Sequence, residues 1–164
     1  MLSYEYLEEQ IAQINARAKL KHKKFSFAES CTGGLLCALC TSQSGSSEVF
    51  DGGVISYSNR IKHQLLDVSI ETLDKYGAVS EQTTNEMAQG LLKLMNIDIA
   101  VSVSGIAGPE GGSERKPVGT VCFGIAHEQT IQTFTRHFDG DREQVRLASC
   151  DFALDLLNEA LDCY

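Results

Sequence analysis

Apolar residues recur with helical spacing at the start of the chain. Leu7, Ile11, Ile14 and Ala18 fall on one face of a helix predicted over Leu2–Lys21. Its basic end, Lys19 to Lys24, suits a helix C-terminus and a solvated cap. The period then shortens. Phe25–Ala28 alternates aromatic with small residues and predicts a strand, and Ala28–Gly34 (A-E-S-C-T-G-G) leads into the apolar run Leu35–Leu39. That order reads strand, tight turn and a helix over Gly33–Ser42. A Ser/Gly loop at Gln43–Ser47 and a turn at Phe50–Gly53 precede a second strand, Val54–Tyr57. Asn59 is placed to cap a helix over Arg60–Leu66, and a short helix over Glu71–Tyr76 closes at Gly77.

The second half repeats this alternation. Ser80 is a good N-cap for a helix over Glu81–Met95, whose Met87, Leu91, Leu94 and Met95 read as core. Asp98–Ser104 is a buried strand that runs into Gly105-Ile106-Ala107-Gly108-Pro109-Glu110-Gly111-Gly112, the most glycine-rich stretch. Pro117–His127 and Ile131–Phe138 predict two further strands, joined by Glu128-Gln129-Thr130 as a hairpin. Asp139-Gly140-Asp141 breaks the chain before a last helix, Arg142–Leu161, with Val145, Leu147, Ala148, Phe152, Leu156 and Leu157 on its buried side. Helices and strands interleave throughout, with no internal repeat or linker, which predicts one α/β domain over residues 1–164.

Composition narrows the classes. Hydrophobic residues make up 43% and charged residues 22%, ordinary for a globular protein. The net charge is -8 and the pI about 4.9, which argues against a broad nucleic-acid surface but leaves room for a local basic pocket. No apolar run is long enough to span a bilayer, and Met1–Gln10 is polar and acidic, unlike a signal peptide. The expectation is a cytoplasmic protein that binds neither nucleic acid nor membrane. Of the six cysteines, Cys37 and Cys40 have the spacing of a metal pair, but they sit in an apolar run with no second pair to answer them. No metal is expected. Cys122, Cys150 and Cys163 read as packing.

Three stretches carry candidate chemistry. Ser30, at the junction of strand and helix, is the first candidate nucleophile, beside helix N–H groups that favour anions or an oxyanion. Read as structure alone, Ser30 and Thr32 are caps and Gly33 and Gly34 turn the chain. Cys31 competes as a nucleophile. Lys62 lies five residues after Tyr57, so a strand end and a helical turn bring phenol and ammonium together; a desolvated lysine has a depressed pKa and acts as a base. The bland alternative is a surface lysine and a half-buried tyrosine. The glycines after Ser104 let backbone N–H groups approach a ligand, although this is neither a Walker A loop nor a dinucleotide fingerprint. Arg142 and Arg146, one helical turn apart, either clamp a phosphate or carboxylate or pair with Asp139, Asp141 or Glu143.

Taken in order, A-E-S-C-T-G-G-L at 28–35, G-S-S-E-V-F-D-G-G-V-I-S-Y-S-N at 45–59 with Lys62, G-A-V-S-E at 77–81, V-S-G-I-A-G-P-E-G-G at 103–112, K-P-V-G-T-V at 116–121 and G-D-R-E-Q-V-R at 140–146 resemble the CinA C-terminal domain family. Stand-alone members of that family are nicotinamide-nucleotide amidohydrolases. The resemblance covers nearly the whole chain and implies a three-layer α/β/α sandwich with a mixed β-sheet. It also implies hydrolysis of nicotinamide mononucleotide to nicotinic acid mononucleotide and ammonia, with no cofactor, by a serine–lysine–tyrosine site. By motif position Ser30 is then the nucleophile, Tyr57 and Lys62 the activating pair and Ser47 a supporting hydroxyl. N–H groups from Cys31 through Thr32 and Gly33 to Gly34 would hold the oxyanion, and the loop with Gly105 and Gly108 would receive the ribose phosphate together with Arg142. Ser104 stands where the family has threonine; the hydroxyl survives and the methyl is lost. A homodimer is expected from the family. A binding or adaptor module that has lost turnover, or an amidohydrolase for another small amide, are the alternative readings.

Overall fold

The computed structural model describes residues 2–128 and 130–164. Five strands, β1 (Phe25–Glu29), β2 (Val54–Ile55), β3 (Ile99–Gly105), β4 (Thr120–His127) and β5 (Thr130–His137), form one sheet in the order β2-β1-β3-β4-β5. β1 runs parallel to both β2 and β3, and β4 and β5 continue the sheet antiparallel. Six helices flank it: α1 (Tyr4–Lys21), α2 (Leu35–Thr41), α3 (Asn59–Leu66), α4 (Ile70–Tyr76), α5 (Glu81–Met95) and α6 (Arg142–Leu161). No helix among the described residues is long and apolar enough to cross a membrane.

The period-2 pattern of the strands sorts the helices onto two faces. Phe25 and Phe27 of β1, with Ile99, Val101 and Val103 of β3, point into a core shared with α1, α2 and α6. Ala28 and Ala100 point the other way, into a second core with α3, α4 and α5. The result is a mixed sheet between two helical layers. The second face is lined by small residues, and α5 sits hard against it. A Cβ on Gly124 would lie 2.4 Å from the Thr84 carbonyl oxygen, to which Ser102 Oγ donates at 2.6 Å.

Most elements stand where the pattern puts them, and the differences lie at their ends. Ser3 caps α1, so the helix opens at Tyr4 rather than Leu2. Ser58, not Asn59, caps α3: its hydroxyl accepts from the Ile61 N–H, and Asn59 is the first helical residue. α2 is shorter than predicted because Gly33 and Gly34, at φ of 61° and 100°, belong to the turn. β2 stops at Ile55, although the Ser56 N–H still donates to the Glu29 carbonyl at 2.7 Å, and β4 opens at Thr120 rather than Pro117. Ser46–Glu48, within the predicted loop region, forms one turn of 3-10 helix. Within the predicted hairpin connection Gln129 lies outside the described residues, and the flanking strands pair antiparallel with His127 opposite Thr130. Cys163 is exposed rather than packed.

This topology creates one obvious crevice. From β1 the chain goes first to one neighbour, β2, and later to the other, β3. The carboxyl ends of β1 and β3 therefore border a switch point in the strand order, where open α/β sheets bind ligands. The parallel register sets Glu29 opposite Val103, so Ser30 and Ser104 emerge side by side.

Candidate active site

Ser30 is the first residue past β1. Its N–H still donates to the Val103 carbonyl at 3.0 Å, which ties the turn to the sheet. Gly33 N–H donates back to the Ser30 carbonyl at 3.1 Å, closing the turn. The fully buried Glu29 then does what a helix cap does. Its carboxylate accepts from the N–H groups of Gly34 at 3.0 Å, Leu36 at 3.1 Å and Cys37 at 2.9 Å. A carboxylate taking three N–H bonds at a helix start compensates for its own burial and fixes the angle between β1 and α2.

Lys62 reaches the same point from α3. Side chains lean toward the N-terminus of their helix, so an early α3 residue reaches back over the segment before it. Lys62 Nζ donates to Ser30 Oγ at 2.9 Å, to the Ser56 carbonyl at 2.7 Å and to the Tyr57 carbonyl at 3.3 Å. The residue is 0% exposed, with no carboxylate among these partners. Burial disfavours the ammonium and draws its pKa down from 10.5 to about 8. Ser56 and Tyr57, just past the end of β2, supply the two carbonyls.

These residues line a cavity of about 260 Å³ with Cys31, Tyr57, Ala78, Val79, Ser104, Gly105, Ala107 and Arg142. Ser104 Oγ is buried there without a hydrogen-bond partner. Arg142, the first residue of α6, donates to the Gly108 carbonyl at 2.8 Å and to the Tyr57 hydroxyl at 3.4 Å. Tyr57 is 62% exposed, so its phenol stands at the mouth, bonded to Arg142 rather than to Ser30 or Lys62. Four kinds of group therefore meet in one crevice: a buried hydroxyl, a desolvated amine, backbone amides of a tight turn, and a cation at the rim.

The family profile described as the CinA C-terminal domain matches residues 7–161. The chain belongs to the CinA C-terminal domain family. The nicotinamide-nucleotide amidohydrolase PncC of Enterobacter agglomerans is 51% identical over 154 residues, 93% of this chain and 94% of that protein. A CinA-like protein of Fervidobacterium nodosum is 49% identical over 136 residues, 83% of this chain but 33% of the relative. The chain thus spans about a third of that longer protein. Among solved structures, the competence-damaged protein (CinA) superfamily protein of Klebsiella pneumoniae 700603 superposes with a TM-score of 0.92 at 37% identity, covering 96% of this chain and 99% of that one.

Not every expected residue of this CinA domain joins the crevice. Ser47 is exposed on the 3-10 turn and does not line the cavity. The helix N–H groups expected to face an anion are occupied: Gly34 and Leu36 donate to Glu29, and Gly33 donates to Ser30. Within the turn only the N–H groups of Cys31 and Thr32 have no hydrogen-bond acceptor on another of the described residues; the Cys31 N–H faces its own sulfur. Ser30 and Thr32 are not caps, since α2 opens on Gly34 without a side-chain cap bond from either. Cys31 lines the cavity, but burial pushes its thiol up to about 12, which keeps it protonated and poorly nucleophilic. The two arginines part company: Arg142 stands over the cavity, while Arg146 donates to the Thr32 carbonyl at 2.8 Å. Neither forms an ion pair with Asp139, Asp141 or Glu143.

Sequence reasoning missed the role of Glu29. An acidic residue just ahead of a turn and an apolar helical run was the available signal. It also assigned no role to Ala78 and Val79, whose wall of the cavity follows from where α4 ends.

Proposed function

We propose that this chain is an amidohydrolase that converts nicotinamide mononucleotide to nicotinic acid mononucleotide and ammonia, with Ser30 as nucleophile and Lys62 as its base. The observation that carries the reading is the fully buried Lys62 amine, 2.9 Å from the hydroxyl of a serine on a tight turn in a cavity. The name of the Enterobacter agglomerans relative, a nicotinamide-nucleotide amidohydrolase, supports a nicotinamide nucleotide as substrate.

The steps follow from the groups present. Neutral Lys62 takes the Ser30 Oγ proton as Oγ attacks the carboxamide carbon. The oxyanion forms against the free N–H groups of Cys31 and Thr32. The C–N bond breaks, Lys62 returns its proton to the leaving nitrogen, and ammonia departs from a nicotinoyl ester on Ser30. Water then attacks the ester, Lys62 takes its proton, and collapse releases the acid and restores the Ser30 hydroxyl. Arg142 and the amides of the 105–112 loop receive the ribose phosphate, and the unpartnered Ser104 hydroxyl meets a polar atom of the substrate. In this reading Tyr57 serves through two different atoms: its carbonyl holds the Lys62 amine and its phenol frames the mouth.

The test is ammonia release from nicotinamide mononucleotide by wild type beside Ser30→Ala. Turnover lost in the folded variant supports the reading. Full activity in Ser30→Ala removes Ser30 as nucleophile. A folded wild type without turnover overturns the substrate assignment, and a panel of amides with and without a phosphoribosyl group then separates another amidohydrolase from a binding module.

A further inference from the structure

Arg146 has a place that phosphate binding does not explain. It projects from α6 onto the turn that follows Ser30 and is not among the residues that line the cavity. Its Nη2 donates to the Thr32 carbonyl at 2.8 Å, an oxygen that also accepts from Leu35 N–H at 3.1 Å. The peptide unit that carries this carbonyl ends in the Gly33 N–H. That N–H donates to the Ser30 carbonyl at 3.1 Å. The peptide unit of the Ser30 carbonyl in turn ends in the Cys31 N–H, the first amide after the nucleophile and one without an acceptor on another of the described residues. Guanidinium, two peptide units and the oxyanion donor therefore form a single head-to-tail chain.

We propose that Arg146 is a positioning residue for the reaction, which strengthens the Cys31 N–H as an oxyanion donor by polarising the Thr32 and Ser30 peptide groups in series. The inference rests on Ser30 being the nucleophile. Hydrogen bonds in such a chain reinforce one another, because each carbonyl that accepts makes its own peptide N–H a better donor. A cation at the head gives the largest pull, and it does so without touching substrate. A second observation points the same way. Glu29 is buried beneath this turn, and its carboxylate opposes any anion formed there. Around the neighbouring Cys31 sulfur, Glu29 disfavours negative charge while Lys62 and Arg146 favour it. When Lys62 has passed its proton to the leaving group, Arg146 is the fixed cation that still balances Glu29. Space at the turn fits this role: a Cβ on Gly33 would lie 3.6 Å from Arg146 Nη2, so the guanidinium packs directly on the turn.

The experiment measures ammonia release from nicotinamide mononucleotide by Arg146→Ala, Arg146→Lys and Ser30→Ala beside wild type, with and without added guanidinium at millimolar concentration. Circular dichroism follows folding, and calorimetry follows substrate binding in the Ser30→Ala background with and without Arg146→Ala. We expect kcat to fall about 10- to 100-fold in Arg146→Ala, less than the loss for removing an oxyanion donor outright. KM and calorimetric affinity stay within about twofold, Arg146→Lys is intermediate, and guanidinium restores part of kcat. A folded Arg146→Ala with wild-type kcat overturns the proposal. So does a loss carried by KM or affinity, which would make Arg146 a substrate ligand, or a loss that tracks unfolding and that guanidinium does not rescue. An active Ser30→Ala overturns the nucleophile itself. An inactive Ser30→Ala beside a fully active Arg146→Ala overturns the role of Arg146 alone.

Discussion

The floor and the mouth of the cavity are built on opposite plans. At the floor, most polar groups are committed within the protein: Glu29 to three N–H groups, Lys62 to two carbonyls and Ser30, and Arg146 to the Thr32 carbonyl. The backbone there is pinned by sheet hydrogen bonds and by two glycines with positive φ. At the mouth, Tyr57 is largely exposed, residues 109–115 of the glycine-rich loop are exposed, and Arg142 spans the opening on one carbonyl and one phenol. The floor is preorganised for charge that develops during reaction. In the proposed reaction the polar groups at the mouth exchange these bonds for a substrate phosphate. On the proposed function, this difference predicts that one wall governs rate and the other affinity.

Substitutions test that division, and the largest effect is expected at Lys62. Lys62→Met removes the amine that bonds Ser30 Oγ, and steady-state kinetics should show kcat down by about a thousandfold. In wild type, kcat/KM should rise with pH and level off above about 8, as Lys62 loses its proton. Stability carries the same signature. The unfolded chain keeps this proton up to 10.5 while the folded chain releases it at about 8, so in that window the unfolded state binds more protons. Unfolding free energy contributed by Lys62 therefore climbs between those two pH values, with the burial penalty present in full below them and gone above. Denaturant titrations across that range should lose this component of the climb in Lys62→Met.

Glu29→Ala comes next and breaks the floor without touching substrate. Three N–H groups lose their acceptor under a buried turn, at a cost of about 3 kcal/mol or more. Chemical denaturation should show the loss, and residual activity should fall in kcat with little change in KM. Arg142→Ala tests the mouth: KM for a phosphorylated substrate should rise about tenfold, while kcat changes by less than about threefold. The smallest effect belongs to Tyr57→Phe, which keeps the carbonyl on Lys62 and deletes only the phenol bond to Arg142. A KM change of about two- to threefold is expected. A thousandfold fall in kcat instead would put the phenol in the proton path and erase the contrast between the two walls.

Much of this was legible in the chain. Helical spacing, alternation and turn residues located the six α-helices and five strands, though not the 3-10 turn at Ser46–Glu48, because amphipathic faces must match the period of the element that buries them. The motifs located the turn at Ser30 and the family, since only certain residues suit a tight strand-to-helix junction. Boundaries failed where a single hydrogen bond decides them, as at Ser58 and Gly34. Roles failed where two residues look alike in sequence. Arg142 and Arg146 lie one turn apart on the same side of the helix, yet one lines the cavity and the other bonds the Thr32 carbonyl.

The sequence by itself determined the layered α/β architecture, the small residues on the α5 face and the presence of a hydroxyl, an amine and a guanidinium in the right segments. Those features are local, set by periodicity, turn chemistry and composition. Only the tertiary structure decided that Lys62 is buried on Ser30, that Glu29 takes the helix N–H groups from any ligand, that Ser47 stands outside the crevice, and that the Tyr57 phenol faces Arg142. The Lys62 and Tyr57 contacts depend on where α3 and α6 dock beside the end of β1. Desolvation and hydrogen-bond competition exist only once distant segments share the same space.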